Sequence, residues 1–288
     1  MKIDAHHHLW DLGAVQYPWL MAKGVERFFG DPAPIQQDYL LDQFRKDATE
    51  FDASVHIQVG AADSVSEATW VQMVSENAPD WPMAQVVFCD MTASDLDAQL
   101  EHFQTLNTVR GVRQIVGRAP GEDAVTGTND LLDNPAFAKG LALAGKRGLS
   151  FDLQLIPELY DGMARVLDHA PDVPVALCHA GSPHDRSAKG IAAWAKALHL
   201  LSDRPQVTCK LSGLGMFDHS WTVESIRPIV ETCLDQFGPD RCMFGSNFPV
   251  DSLYSDYRTL IRAYEAILPD SARQAVFEDT AARFYGFK

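Results

Sequence analysis

The chain has 288 residues, 46% of them apolar, enough for one large core and close to the roughly 250 residues of an α/β barrel. Its formal net charge of −15 repels phosphate backbones and anionic lipid. Nucleic acid and membrane are therefore not expected as partners, whereas a small-molecule substrate and a homo-oligomer are compatible with that charge.

Short β-rich runs alternate with amphipathic stretches along the chain. A first strand at 2–6 leads into a long connection at 11–35, then a helix at 36–50. Strands at 53–59, 83–89 and 109–115 follow, separated by helices at 64–77 and 95–106. Further on come a helix at 132–147, a strand at 148–154, a helix at 157–170 and a strand at 173–178. A helix at 188–202, a strand at 206–212, a helix at 222–237 and a strand at 241–245 complete the alternation. Helices at 254–267 and 270–284 close the chain. Val, Ile, Leu and Phe dominate the strands, as expected where both sheet faces are covered. Eight such units without a composition shift predict a single-domain (β/α)₈ TIM barrel of α/β class.

Local chemistry supports these boundaries. Ser64 and Glu67 have capping-box spacing, Gly148 follows Lys146-Arg147 at a helix end, and Gly238-Pro239 stops the helix before the last strand. Segment 11–35 is too long for an ordinary βα connection and is placed to act as a lid. No dinucleotide or P-loop glycine pattern occurs. Met1-Lys2-Ile3-Asp4 runs straight into histidines without an apolar leader, so a cytoplasmic protein is expected. The cysteines (Cys89, Cys178, Cys209, Cys233, Cys242) are odd in number and include no Cys-x-x-Cys pair. That argues against a disulfide framework or zinc-thiolate site; those in apolar runs read as small core residues.

Barrel enzymes carry their chemistry at the C-terminal ends of the strands. Here those ends offer His6 and His8, His56 and Gln58, Asp90, Arg113 and Gln114, Asp152 and Gln154, His179, Lys210 and Ser212, and Ser246 with Asn247. His6 and His8 are two apart, so on an extended backbone both point to one side, where they can share a metal ion or flank a substrate group. His7 points the other way and is expected to be a structural hydrogen-bonder. Arg113 suits a carboxylate or polar sugar, or else pairs with Asp90 or Asp152. Lys210 is either a substrate contact or a buried charge partner. His102, His169, His184, His199 and His219 read as surface residues.

Ile3-Asp4-Ala5-His6-His7-His8-Leu9-Trp10 resembles the opening His-x-His strand of the amidohydrolase superfamily. Tyr17-Pro18-Trp19-Leu20, Gly111-Val112-Arg113-Gln114-Ile115, Lys210-Leu211-Ser212-Gly213-Leu214 and Met243-Phe244-Gly245-Ser246-Asn247-Phe248-Pro249-Val250 resemble its lactonase branch, which includes fuconolactonase, rhamnonolactonase and pyrone dicarboxylate lactonase. The resemblance implies a distorted (β/α)₈ barrel and a hydrolase of small lactones in carbohydrate metabolism. It makes His6, His8, His179 and Asn247 the candidate catalytic residues, with Arg113, Gln114, Lys210 and Trp10 binding substrate. It is compatible with no cofactor, or with one divalent metal, zinc first, on His6, His8 and His179. One departure stands out. The family's eighth strand ends in aspartate; Asn247 stands there, and a carboxamide cannot take a proton from water. The base then falls to a histidine or to Asp251, or Asn247 only orients water. Two rivals remain: a lactone isomerase or decarboxylase on this scaffold, and a non-catalytic metabolite-binding barrel.

Overall fold

The structure, a computed structural model, describes residues 1–122 and 128–288. Eight strands form one parallel sheet in sequence order: β1 (Ile3–His7), β2 (Ala53–Ile57), β3 (Met83–Phe88), β4 (Val109–Arg113), β5 (Ser150–Leu153), β6 (Val175–Leu177), β7 (Val207–Leu211) and β8 (Cys242–Phe244). The ring closes just beyond the strand ends, where the Asn247 amide donates to the His6 carbonyl and the His8 amide to the Phe248 carbonyl, both at 2.7 Å. The Asp4 carboxylate stitches the same seam, accepting from the His6 and Ser246 amides at 3.0 Å and the Tyr257 hydroxyl at 2.9 Å. Burial raises its pKa to about 6 against those hydrogen bonds.

The strands are shorter than their apolar runs because pairing stops where side chains begin to serve the rim. Small residues fill the barrel interior, among them Ile3, Ala5, Ala53, Val55, Ala84, Val86 and Ala176. Larger residues such as Phe44, Phe137, Leu141, Trp194 and Phe244 pack between sheet and helices. Among the described residues, α1 (Pro18–Met21) lies within segment 11–35, and the sheet is covered by α2 (Leu41–Asp47), α3 (Ser64–Glu76), α4 (Leu96–Phe103), α5 (Pro135–Lys146), α6 (Tyr160–Asp168), α7 (Ala188–Ser202), α8 (Val223–Phe237) and α9 (Tyr257–Ile267). The tail expected as one helix is three pieces: α10 (Asp270–Gln274), a π turn (Ala275–Asp279) and α11 (Thr280–Tyr285). No helix among the described residues is long and apolar enough to cross a membrane.

Two local expectations are corrected. The N-cap of α3 is Asp63, whose side chain accepts from the Val65 amide at 3.1 Å; Ser64 is already helical. Glu67 does not close a capping box but turns inward, accepts from the Val59 amide at 3.0 Å and lies 3.7 Å from the His56 imidazole. Gly148 and Gly238 do end their helices, at φ +73° and +75°.

One irregularity decides the site. Between Asp4 and His7 the β1–β2 register shifts. Before it, Ile3 and Ala5 face the interior; after it, strict alternation would have sent His7 inward and His6 outward. The shift reverses this. His6 approaches interior groups of β5 and β6, while His7 lies outside, its ring stacked on Phe44 at 3.9 Å. Neither His7 ring nitrogen has a hydrogen-bond partner, so His7 is a packing residue and not the expected hydrogen-bonder.

Candidate active site

The C-terminal mouth of the barrel holds a cavity of about 510 Å³ lined by His8, Gln58, Arg113, Gln114, Gln154, His179 and Asn247. Trp19, Arg27, Phe28 and Phe29 roof it, all from segment 11–35, and the Trp19 indole donates to the Val59 carbonyl at 2.6 Å. The extended first βα connection therefore lines the site, as its length suggested. No aspartate or glutamate lines the cavity among the described residues.

His8 and His179 are each aimed by a contact at Nδ1. His8 Nδ1 faces the Ile57 carbonyl at 2.8 Å. A carbonyl can only accept, so Nδ1 carries the proton and Nε2 keeps its lone pair. Burial lowers the His8 pKa to about 3, and burial first, then the nearby cations, holds His6 and His179 well below the ordinary imidazole value. All three are neutral at pH 7. His179 Nδ1 meets the Ser212 hydroxyl at 3.0 Å. His179 has φ +56° and Asn247 φ +57°, left-handed backbone that costs a non-glycine residue on the order of 1 kcal/mol. Histidine and asparagine are among the side chains that tolerate it best. The bent turn after β6 is held by the Tyr160 hydroxyl donating to the Gly181 carbonyl at 2.5 Å and the Trp194 indole to the Ala180 carbonyl at 3.0 Å. Gly213 leaves room for the ring: a Cβ there would lie 2.4 Å from His179 Nδ1.

Arg113 enters from β4. Its Nη1 donates to the Gln58 carbonyl at 3.1 Å and its Nη2 to Gln154 Oε1, while Nε is buried without a partner. It pairs with neither Asp90 nor Asp152. Gln114 sits at the cavity wall and accepts from the Met91 amide at 2.9 Å. Asn247 donates from Nδ2 to Asp251 Oδ1 at 2.9 Å, which turns its Oδ1 the other way, and its side chain faces His8.

Three of the residues named from sequence lie elsewhere. Trp10 is fully buried below the roof, its indole donating to the Gln37 carbonyl at 2.6 Å, and it does not line the cavity. Lys210 is a charge partner: its Nζ lies 2.5 Å from Asp152 and donates to the Ala5 carbonyl at 2.7 Å, with both side chains fully buried. It makes no part of the cavity wall. His6 lies deeper than the wall, its ring centroid 4.6 Å from that of His179 and 5.3 Å from that of His8. Conversely, of the roof residues only Trp19 lies in a motif legible in the sequence; Arg27, Phe28 and Phe29 lie in a connection without periodic signal.

Donor type and spacing also revise the metal set. Among the described residues, the one group of three or more ligand side chains whose donor atoms all lie within 4.8 Å of one another is His6, Asp152 and Cys178. His6, His8 and His179 are not such a group. In the group that is, Asp152 already takes Lys210 and the Tyr285 hydroxyl at 2.9 Å, and burial pushes the Cys178 thiol up to about 11. With Lys210 in place these residues do not fit a divalent ion.

Burial raises the pKa of Asp251 to about 7, against the hydrogen bond from Asn247. An acid whose folded pKa exceeds its unfolded value binds its proton more tightly when folded, so its contribution to stability is fully present below about pH 4 and is lost as pH rises to about 7. The shift corresponds to roughly 4 kcal/mol. Urea unfolding at pH 5 and pH 7.5 is expected to show Asp251→Asn losing less stability over that interval than wild type; equal losses would remove Asp251 as the source.

A sequence model of the amidohydrolase family matches residues 3–287. The chain belongs to the amidohydrolase family. It is therefore a hydrolytic enzyme. This amidohydrolase is 37% identical to an uncharacterised protein of Sinorhizobium fredii, covering 98% of this chain and 97% of that protein. It is 29% identical to L-fucono-1,5-lactonase of Burkholderia multivorans, over 99% of this chain and 96% of the relative. Among solved structures it superposes with a TM-score of 0.83, at 25% identity and complete coverage of both chains, on an amidohydrolase of Burkholderia multivorans with bound zinc.

Proposed function

We propose that this amidohydrolase opens a small lactone, an aldonolactone or a related organic-acid lactone, by attack of water. The similarity to L-fucono-1,5-lactonase supports the reaction class. The observation that carries the reading is the convergence of His8, His179, Asn247 and Arg113 on one cavity, with no carboxylate in its lining among the described residues. Such a wall suits an ester carbonyl and the carboxylate it becomes.

The attacking water donates one hydrogen bond to His8 Nε2 and the other to Asn247 Oδ1, two acceptors fixed by the Ile57 carbonyl and by Asp251. Its oxygen bonds to the carbonyl carbon as one proton passes to His8. Arg113, which lines the same cavity, faces the oxygen that gains negative charge. Ser212 donates its hydroxyl hydrogen to His179 Nδ1, so that His179 Nε2–H protonates the ring oxygen as the ring C–O bond breaks. The proton on His8 then restores His179, and the product acid ionises. His8 is a weak base, which a reactive cyclic ester tolerates. Trp19, Phe28 and Phe29 exclude bulk water and give the ring an apolar face.

The test is acid release from a panel of aldonolactones and organic-acid lactones, followed with a pH indicator, with products identified by NMR. Ring-opened acid from wild type, lost in His179→Ala by about a hundredfold or more, is the expected result. An isomerised lactone without acid, or ligand binding without turnover, would sink the hydrolase reading of this cavity.

A further inference from the structure

Beneath the cavity floor lies a second, separate set of groups. Lys210 Nζ is enclosed by the Asp152 carboxylate at 2.5 Å, the Ala5 carbonyl at 2.7 Å and the face of the Tyr285 ring, 5.1 Å from its centroid. Asp152 also receives the Tyr285 hydroxyl at 2.9 Å and faces the Cys178 thiol, with the sulfur 4.0 Å from Oδ2. His6 completes the set, with both ring nitrogens buried and without a hydrogen-bond partner. Imidazole, carboxylate and thiol are three donors of the kinds that hold zinc, and their atoms already gather within 4.8 Å. What they enclose instead is an ammonium.

We propose that Lys210 is the built-in cation of the barrel floor, and that its charge alone keeps the His6–Asp152–Cys178 group from being a divalent-metal site. The charge count supports this. One lysine ammonium neutralises one carboxylate, so the set is neutral as it stands, and every member is buried. A divalent ion added beside the ammonium would leave an uncompensated positive charge in a region with no water contact. Removing the ammonium leaves one carboxylate and an imidazole with two unpartnered nitrogens around space that the lysine side chain filled. An ion there would satisfy Asp152 and His6 together. The thiol is then drawn in as thiolate, because a coordinating cysteine loses its proton to the metal. The inference concerns occupancy of this group and stands apart from the lactone reading.

Wild type, Cys178→Ser, Lys210→Met and Lys210→Met/Cys178→Ser would each be equilibrated with Zn²⁺ and their bound metal counted by mass spectrometry. Titration with Co²⁺ reports sulfur ligation through its thiolate charge-transfer absorption. Wild type is expected to show no cobalt–thiolate absorption, and Cys178→Ser should leave its zinc content unchanged. Lys210→Met should gain one zinc per chain with the absorption, together with a zinc-dependent rise in melting temperature, and the double variant should lose all three. A cobalt–thiolate signal from wild type overturns the proposal, since the lysine would then not exclude the ion. So does a folded Lys210→Met that takes no additional zinc. If Lys210→Met folds only when zinc is supplied, that dependence is itself the expected gain. If it folds under neither condition, Lys210→Gln carries the same measurement, and its failure to take zinc ends the idea.

Discussion

Replacing Arg113 by methionine is expected to lower kcat/KM for lactone opening by about a thousandfold. Arg113 is the cavity cation closest to being a purpose-built anion receptor. Its Nη1 and Nη2 are tied to the Gln58 carbonyl and Gln154 Oε1, which fix the plane of the guanidinium, and its Nε is left unpartnered. With the three histidines held neutral, mainly by burial, this guanidinium supplies fixed positive charge beside them. Preorganised charge in a buried site acts on the developing oxyanion without further reorganisation, so its removal should appear in kcat as well as KM. Arg113→Lys keeps the charge but not the planar fork and should recover part of the loss. Steady-state kinetics on a lactone that wild type opens would decide. A change confined to KM would make Arg113 a binding residue for a distant carboxylate, and no change would remove it from the reaction.

Asn247→Asp is expected to raise kcat by roughly a hundredfold, the ordinary gain from a positioned general base. The structure gives a reason why the carboxylate can be accommodated. Asp251, 2.9 Å from Asn247 Nδ2 and raised to about 7 by burial, already sits close to holding a proton at neutral pH. Beside a second carboxylate it would keep that proton and donate it to position 247, reversing the polarity of the present hydrogen bond without moving either side chain. The pair would then titrate as one unit, and activity should fall on the acid side as position 247 gains its own proton. Asn247→Leu, which removes the acceptor altogether, should lose activity. A pH–rate profile of Asn247→Asp that matches wild type in height and shape would show that position 247 has no contact with the attacking water.

The two expectations probe different halves of the reaction. Arg113 acts on the carbonyl oxygen, and Asn247 acts on the water. The sites are independent enough that the double variant Arg113→Met/Asn247→Asp should show close to the product of the single effects, and a large departure would place both groups on the same atom.

The amino-acid sequence by itself determined the architecture. Eight apolar runs alternating with amphipathic stretches admit few closed arrangements, and polar residues ending those runs mark the rim where His8, Arg113, Gln114, His179 and Asn247 meet. It also determined that 11–35 serves the site, because a connection of that length has to lie over something. Tertiary structure decided the rest. The inward turn of His6 depends on a register shift between β1 and β2, a property of pairing that one strand cannot reveal. Lys210 and Trp10 sit at rim-like positions in the sequence, yet Lys210 is consumed by Asp152 from a strand 58 residues away and Trp10 by the Gln37 carbonyl. The depressed imidazole pKa values and the raised Asp251 carboxyl arise chiefly from burial, which is fixed only when distant elements close over these groups. Sequence names the residue types at the mouth of a barrel. Which of them face the cavity, and with what charge, is set by neighbours that only the closed barrel brings together.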